Sequence, residues 1–127
     1  MEQYLIDTNV ICDYFSASFS DAGASFMDNV INAIPNLSII TQIELLCWKT
    51  KATTEQSIED FIADSLILNI GPTVIAECVK LRKGKKMKTP DAIIAATALA
   101  NSYTLITNNE RDFANIKRLK IINPSKM

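Results

Sequence analysis

Four acidic residues occupy positions at which an α/β protein can gather its reactive groups: Asp7, Glu44, Asp91 and Asp112. Asp7 directly follows a short apolar segment, Glu44 lies one helical turn after a second one, Asp91 opens a very apolar helix, and Asp112 lies just beyond another apolar segment. Carboxylates a few Å apart raise one another's pKa unless a cation compensates their charge. Hard oxygen ligands favour Mg²⁺ or Mn²⁺, which can activate water at a phosphate ester. The pattern predicts a catalytic metal centre formed by three or four of these carboxylates.

The composition excludes several other kinds of catalysis. The chain has 127 residues and no histidine, which rules out Ser-His-Asp and Cys-His nucleophiles and zinc bound through histidine. Its formal net charge of −1 argues against a protein that coats nucleic acid through a general positive field. Chemistry must therefore depend on carboxylates, hydroxyls, amides or lysines, and any contact with nucleic acid must be local.

One segment ahead of Asp91 does concentrate positive charge, with six basic residues between positions 80 and 88. Beside an acidic metal pocket, Lys85, Lys86 and Lys88 would form a rim that binds RNA phosphates without reading the base sequence. A solvated surface loop that binds nothing is the alternative interpretation.

Helix starts offer a purely structural explanation for three of the four acids. Residues 41–44 have the spacing of a capping box, and residues 109–112 imitate it. Residues 89–91 combine an N-cap type, a first-turn proline and a first-turn acid. Asp7 is harder to explain in this way, because it ends a predicted strand directly and is followed by two polar residues that can hydrogen-bond a carboxylate or a bound water.

Apolar segments of strand length alternate along the chain with segments of helical periodicity. Strands are predicted at residues 4–6, 37–40, 66–70, 103–107 and 120–122. Helices are predicted at 8–15, 20–34, 41–48, 53–65, after Gly71-Pro72, at 91–101 and at 110–116, with a loop at 82–88. The alternation predicts one α/β domain over residues 1–127, with a mostly parallel central sheet and helices on both faces. Its strands share one carboxyl edge, where such folds bind ligands.

Four segments resemble the PIN-domain signature in order and spacing: residues 5–10, 38–45, 90–98 and 104–113. The first reads Leu-Ile-Asp-Thr-Asn-Val, and the last, together with Asn123-Pro124, is similar to the VapC-type ribonucleases among bacterial toxins. The resemblance covers essentially the whole chain, and four motifs in the right order form a specific signal. It implies a PIN-like three-layer sandwich.

The resemblance also implies an activity. Proteins of this kind are metal-dependent endoribonucleases, the toxins of type II toxin–antitoxin systems, and hydrolyse RNA phosphodiester bonds with Mg²⁺ or Mn²⁺. The implied metal ligands are Asp7, Glu44, Asp91 and an acid of the last motif. Relatives differ in where that last acid stands. We predict that Asp112 is the fourth metal ligand here and that the side-chain amide of Asn109 supports the ligands. The residues expected to orient carboxylates or water are Thr8, Asn9, Thr41, Thr107 and Asn109.

The implied partners are an RNA substrate, a cognate antitoxin protein and a second copy of the chain in a homodimer. No apolar run approaches the ~18 residues that span a bilayer, and the first residues lack the pattern of a secretory signal. We therefore predict a cytoplasmic protein without membrane contact. The three cysteines are widely spaced among apolar neighbours and are expected to be buried and reduced.

Rival functions stay open beside this one. A PIN fold can bind RNA or protein without cutting, and a PIN-like nuclease can act on DNA, because the phosphodiester chemistry is shared. A signalling receiver domain fits poorly, because it would need an acid after the third strand and residues 68–72 contain none.

Overall fold

The computed structural model describes residues 2–127, which form five short strands in one sheet. The order across the sheet is β3-β2-β1-β4-β5, and every neighbouring pair is parallel. The predicted α/β class with a mostly parallel sheet is therefore confirmed. The strands are Tyr4–Ile6 (β1), Asn36–Ser38 (β2), Leu66–Leu68 (β3), Thr104–Ile106 (β4) and Ile121–Ile122 (β5).

Helices connect the strands, as is usual for crossovers between parallel strands. They are Thr8–Phe15 (α1), Asp21–Asn32 (α2), Ile39–Cys47 (α3), Ala52–Ala63 (α4), Pro72–Gly84 (α5), Thr89–Asn101 (α6) and Glu110–Phe113 (α7), followed by a 3₁₀ turn at Pro124–Lys126. Among residues 2–127, no helix combines the length and the apolar character needed to cross a membrane.

Two hydrophobic cores lie on opposite faces of the sheet. Successive residues of a strand point to opposite faces, so Ile6 and Ile106 join the core that also contains residues of α1 to α4. Leu5 and Leu105 instead join residues of α6 and Phe113 of α7 in the second core. The sheet is thus covered on both faces, which gives the predicted three layers.

The second strand ends two residues earlier than the apolar run predicted. Ile39 and Ile40 begin α3 instead of extending β2, because the hydroxyl of Ser38 accepts a hydrogen bond from the backbone N–H of Ile40 at 3.2 Å and caps the helix. The predicted loop at 82–88 is also shorter than expected, because α5 continues to Gly84.

The strand order leaves a crevice at the carboxyl edge of the sheet. From the central strand β1 the chain moves outward to β2 and β3, and then crosses to the other side of β1 to form β4 and β5. The connections that leave β1 and β4 therefore diverge, and such a switch point is where open α/β sheets bind ligands. Asp7 follows β1 and Thr107 follows β4 at this crevice.

Gly23 of α2 is packed against the C-terminal turn, and the contact leaves no room for a side chain. A Cβ at this position would lie 2.5 Å from the carbonyl oxygen of Pro124, a backbone atom that can only move with its chain. We expect Gly23→Ala to lower the free energy of unfolding by about 1–3 kcal/mol, measured by chemical denaturation. Gly84→Ala is the matched control, because no atom lies within 4 Å of its Cβ position. Equal midpoints for the two variants would contradict the contact.

Candidate active site

Asp7 is a buried carboxylate held by two hydrogen bonds where β1 passes into α1. Its Oδ1 accepts from the backbone N–H of Thr8 at 2.8 Å, and its Oδ2 accepts from the Thr107 hydroxyl at 2.8 Å. Burial raises the pKa of Asp7 to about 6 against the effect of both hydrogen bonds, and the charges of Asp91 and Glu44 raise it further. A carboxylate perturbed in this way within a cleft is a candidate for function.

Glu44 lies on α3 and is tied to α1 by hydroxyl groups. The Thr8 hydroxyl donates to Glu44 Oε1 at 2.6 Å and lies 3.1 Å from the Thr41 hydroxyl. A hydroxyl has one proton and a carboxylate only accepts, so Thr41 supplies the proton shared between the two threonines. The capping-box interpretation of residues 41–44 is wrong, because Ser38 caps α3 and Thr41 lies within the helix, fully buried.

Asp91 stands in the first turn of α6, where the sequence predicts it. The N-cap residue is Lys88 and not Thr89, and its side chain makes no capping hydrogen bond. The half-buried Asp91 carboxyl has a raised pKa, first through desolvation and then through the charges of Asp112 and Glu44, while Lys88 opposes the shift. Asp91 therefore lies close enough to an acid of α3 and to an acid of α7 for both charges to raise its pKa.

One pocket at the carboxyl edge, with a volume of about 370 Å³, brings these residues together; we call it the carboxylate pocket. Its oxygen donors are of the kind that hard divalent cations prefer. The pKa values of Asp7 and Asp91 are raised first by desolvation and then by the charges of neighbouring carboxylates, and a bound cation would compensate the negative charge that this site disfavours. Within residues 2–127, no three acidic or thiol side chains are close enough to enclose an ion as they stand. The lining residues are Asp7, Thr8, Asn9, Cys12, Glu44, Cys47, Trp48, Asp91 and Asn109.

The last predicted acid, Asp112, lies beside this pocket and not in its wall. Asn109 lines the carboxylate pocket instead, and its side-chain amide donates to Asp112 Oδ2 at 2.8 Å. Neither residue completes the capping box that the spacing imitates, because the Asn109 side chain accepts no hydrogen bond from the backbone of α7. Asp112 acts on the pocket through its charge, which raises the pKa of Asp91.

A second cavity of about 650 Å³ adjoins the first, and we call it the cationic cleft. Lys85 Nζ donates to the carbonyl of Ala114 at 2.6 Å, which ties the chain after α5 to the segment after α7. Arg111 also lines the cleft, and the sequence pattern did not predict its involvement, although its place next to Asp112 was the available signal. The cleft is lined by Arg82, Lys85, Lys86, Met87, Lys88, Asp91, Arg111 and Asp112.

The cysteines differ from the sequence expectation in one respect. All three are free thiols, but none is fully buried: Cys12 and Cys78 are partly buried and Cys47 is exposed. It lies three residues after Glu44 on α3, so the two side chains share a face of the helix and both line the carboxylate pocket. Cys12 and Trp48 also line this pocket, and no motif in the sequence indicated a role for either of them.

The fold and the pocket define an open parallel α/β domain with a carboxylate-lined crevice at its switch point. The family model for the PIN domain matches residues 4–119, and the chain therefore belongs to the PIN-domain family. The resemblance found in the sequence is confirmed.

Solved structures of similar fold include toxin–antitoxin complexes. One from Klebsiella pneumoniae is 34% identical, aligns with 96% of this chain and 98% of its own, and has a TM-score of 0.75. FitAcB from Neisseria gonorrhoeae is 24% identical over 98% of this chain and 100% of its own, with a TM-score of 0.81. DNA-bound VapBC from Salmonella typhimurium is 22% identical over 98% and 99%, with a TM-score of 0.78. No curated protein sequence matches this chain significantly.

Proposed function

We propose that this chain is a Mg²⁺- or Mn²⁺-dependent endoribonuclease and the toxin of a type II toxin–antitoxin pair. The observation that carries the proposal is the convergence of Asp7, Glu44 and Asp91 on one pocket at the switch point of the sheet. Helix capping does not explain why these three carboxylates meet, because Asp7 caps α1 but neither Glu44 nor Asp91 is the capping residue of its helix. A common ligand explains why they meet.

The chemistry of the pocket residues fits a hard divalent cation: Asp7, Glu44 and Asp91 would be its protein ligands, and they would have to move closer together to enclose it. When bound, such an ion supplies Lewis-acid polarisation of the phosphodiester and lowers the pKa of a water molecule. Thr8 and Thr107 hold the Glu44 and Asp7 oxygens in place through their hydroxyl protons. With its pKa raised to about 6, Asp7 is largely ionised at neutral pH and would be held fully ionised by a bound cation.

Asn109 and Asp112 support the site from the segment that follows β4. The Asn109 amide reaches the carboxylate pocket and is fixed by its hydrogen bond to Asp112. In this proposal Asn109 orients water or a substrate oxygen, and Asp112 holds Asn109 and adds negative charge that strengthens cation binding. Asn9, which is exposed and lines the same pocket, is available for the same orienting role.

Protein partners are proposed on the strength of the similar toxin–antitoxin structure from Klebsiella pneumoniae. Apolar side chains are available to bind them. Ile43 and Leu46 on α3 are 54% and 55% exposed, and Ile75 and Val79 on α5 are 52% and 46% exposed. Each pair is spaced to form a stripe along its helix. These stripes are surfaces for a cognate antitoxin and for a second copy of the chain.

The test is cleavage of mixed cellular RNA by purified protein. Discrete fragments should appear with Mg²⁺ or Mn²⁺ and should be absent with EDTA. Asp91→Asn should lower the rate at least about 100-fold, because losing even a hydrogen-bond partner of a ligand costs about 10–100-fold. Glu59→Gln makes the same chemical change on the exposed surface of α4 and should cleave at the wild-type rate.

Circular dichroism of each variant keeps loss of folding separate from loss of chemistry. Cleavage that persists in EDTA or in Asp91→Asn would contradict the proposal and point to a contaminating nuclease. Cleavage of DNA but not of RNA would assign the pocket to a DNA nuclease. Binding of RNA without cleavage of either substrate would show that the chain is an RNA-binding module and not a nuclease.

A further inference from the structure

The cationic cleft and the carboxylate pocket are neighbours that share one wall. Asp91 lines both, so a ligand that reaches across its carboxylate occupies both cavities at once. The two linings differ in charge: the pocket has three carboxylates and no basic residue, whereas the cleft has five basic residues and two acids. An RNA chain whose scissile phosphate lies in the carboxylate pocket would therefore place a neighbouring phosphate among the basic residues of the cationic cleft.

The basic residues of the cleft fall into two groups. Arg82 Nε donates to the carbonyl of Met87 at 3.3 Å and Lys85 Nζ to that of Ala114 at 2.6 Å, so these two shape the cleft. Across residues 2–127, Lys86, Lys88 and Arg111 make no side-chain hydrogen bond or ion pair. They come from opposite walls, the chain before α6 and α7, and are available to a ligand.

The lining favours phosphate over a base. The cleft contains no aromatic side chain, so it has no platform on which a nucleobase could stack. Arg111 presents a planar fork of donors that suits phosphate oxygens, and the lysines add point charges. Such interactions position a nucleic acid chain without reading its sequence.

Building on the proposed function, we propose that the cationic cleft is a subsite for a phosphate flanking the scissile one in single-stranded RNA, bound by Lys86, Lys88 and Arg111. The subsite makes an internal phosphodiester the preferred substrate, because a dinucleotide has no flanking phosphate to place there. Lys85 is a positioning residue, since its bond to the Ala114 carbonyl holds the two walls of the cleft together.

Binding can be measured without cleavage. An Asp7→Asn background in EDTA keeps the RNA intact, and fluorescence anisotropy follows a labelled single-stranded oligonucleotide over a range of salt concentrations. Adding Lys88→Gln and Arg111→Gln should weaken binding at least about 10-fold at low salt. It should also reduce the slope of log K against log[salt] by about 0.7, the value expected for one neutralised phosphate of a single strand. Lys120→Gln, which changes an exposed lysine at the amino edge of β5, should leave both values unchanged.

A neutral methylphosphonate linkage, moved one position at a time along the oligonucleotide, locates the subsite. The background protein should lose affinity when the neutral linkage occupies the subsite, and the Lys88→Gln and Arg111→Gln protein should not respond at that position. The proposal is overturned if the added substitutions leave affinity and salt slope unchanged, or if they weaken only the binding of an acidic protein partner. Because neither metal nor cleavage is needed, this outcome is independent of whether wild-type protein cuts RNA.

Discussion

Replacing Asp7 by Asn is expected to abolish cleavage and, at the same time, to raise the melting temperature of the metal-free protein. The carboxylate is only 6% exposed, and burial raises its pKa to about 6. Its usual value is about 3.9, so at neutral pH the folded state holds a charge that water would solvate better, at a cost of about 1.4 kcal/mol for each pH unit between the two values. Asn removes that charge and keeps the acceptor for the Thr8 N–H.

The pH range in which Asp7 changes the stability of the protein follows from the direction of its pKa shift. The folded protein binds the Asp7 proton more tightly than the unfolded chain, so the stability gained from protonation is complete below pH about 4 and is lost as the pH rises to about 6. The Asn variant has no such dependence. Its advantage over wild type should therefore be full above pH 6 and should shrink as the pH is lowered towards 4.

The expected gain is about 1–2 kcal/mol after subtraction of one weakened hydrogen bond, or a rise in melting temperature of roughly 3–8 °C at pH 8. Differential scanning calorimetry in EDTA at pH 8 and pH 4.5 measures it. Adding Mn²⁺ should stabilise wild type and leave Asp7→Asn unchanged, because only a competent site binds the ion. A variant less stable than wild type at both pH values would show that the Asp7 charge supports the fold, contrary to this expectation.

The sequence predicts α1 at its observed bounds but extends the second strand too far. The start of α1 is marked by Asp7, which both ends a strand and accepts from the first N–H of the helix. At residues 37–40 the signal is a short apolar run, and periodicity alone cannot divide such a run between strand and helix. The boundary depends on the single hydrogen bond from the Ile40 N–H to Ser38, which apolar patterning does not encode.

The sequence likewise predicts one part of the candidate site and not the other. Asp7, Glu44 and Asp91 can be predicted to meet because each follows or opens an element at the shared carboxyl edge of a parallel sheet. Which of Asn109 and Asp112 faces the pocket depends on the backbone of Asn109, at φ −103° and ψ 65°, before the short helix α7. The backbone N–H of Asn109 donates to the Thr107 hydroxyl at 3.0 Å in this conformation, and the spacing of acids in the sequence does not specify such a bond.

The Thr107 hydroxyl joins the central acid to the loop of the last motif. It donates to Asp7 Oδ2 at 2.8 Å and accepts from the backbone N–H of Asn109 at 3.0 Å. The side chain is fully buried, so no water can replace either bond. Thr107→Val keeps the shape and removes both hydrogen bonds, and each buried polar group left unsatisfied costs about 1–3 kcal/mol.

Thr107→Val should therefore lower the free energy of unfolding by about 2–4 kcal/mol and slow cleavage about 10–100-fold at neutral pH. The hydrogen bond from Thr107 holds the pKa of Asp7 down, so its loss should move the acidic limb of the cleavage profile to higher pH. Thr107→Ser retains the hydroxyl and should restore the profile. Thr97→Val, a buried threonine bonded within α6, is the matched control and should cost stability without moving the limb. An unmoved limb in Thr107→Val would mean that Thr107 supports the fold but does not set the charge of Asp7.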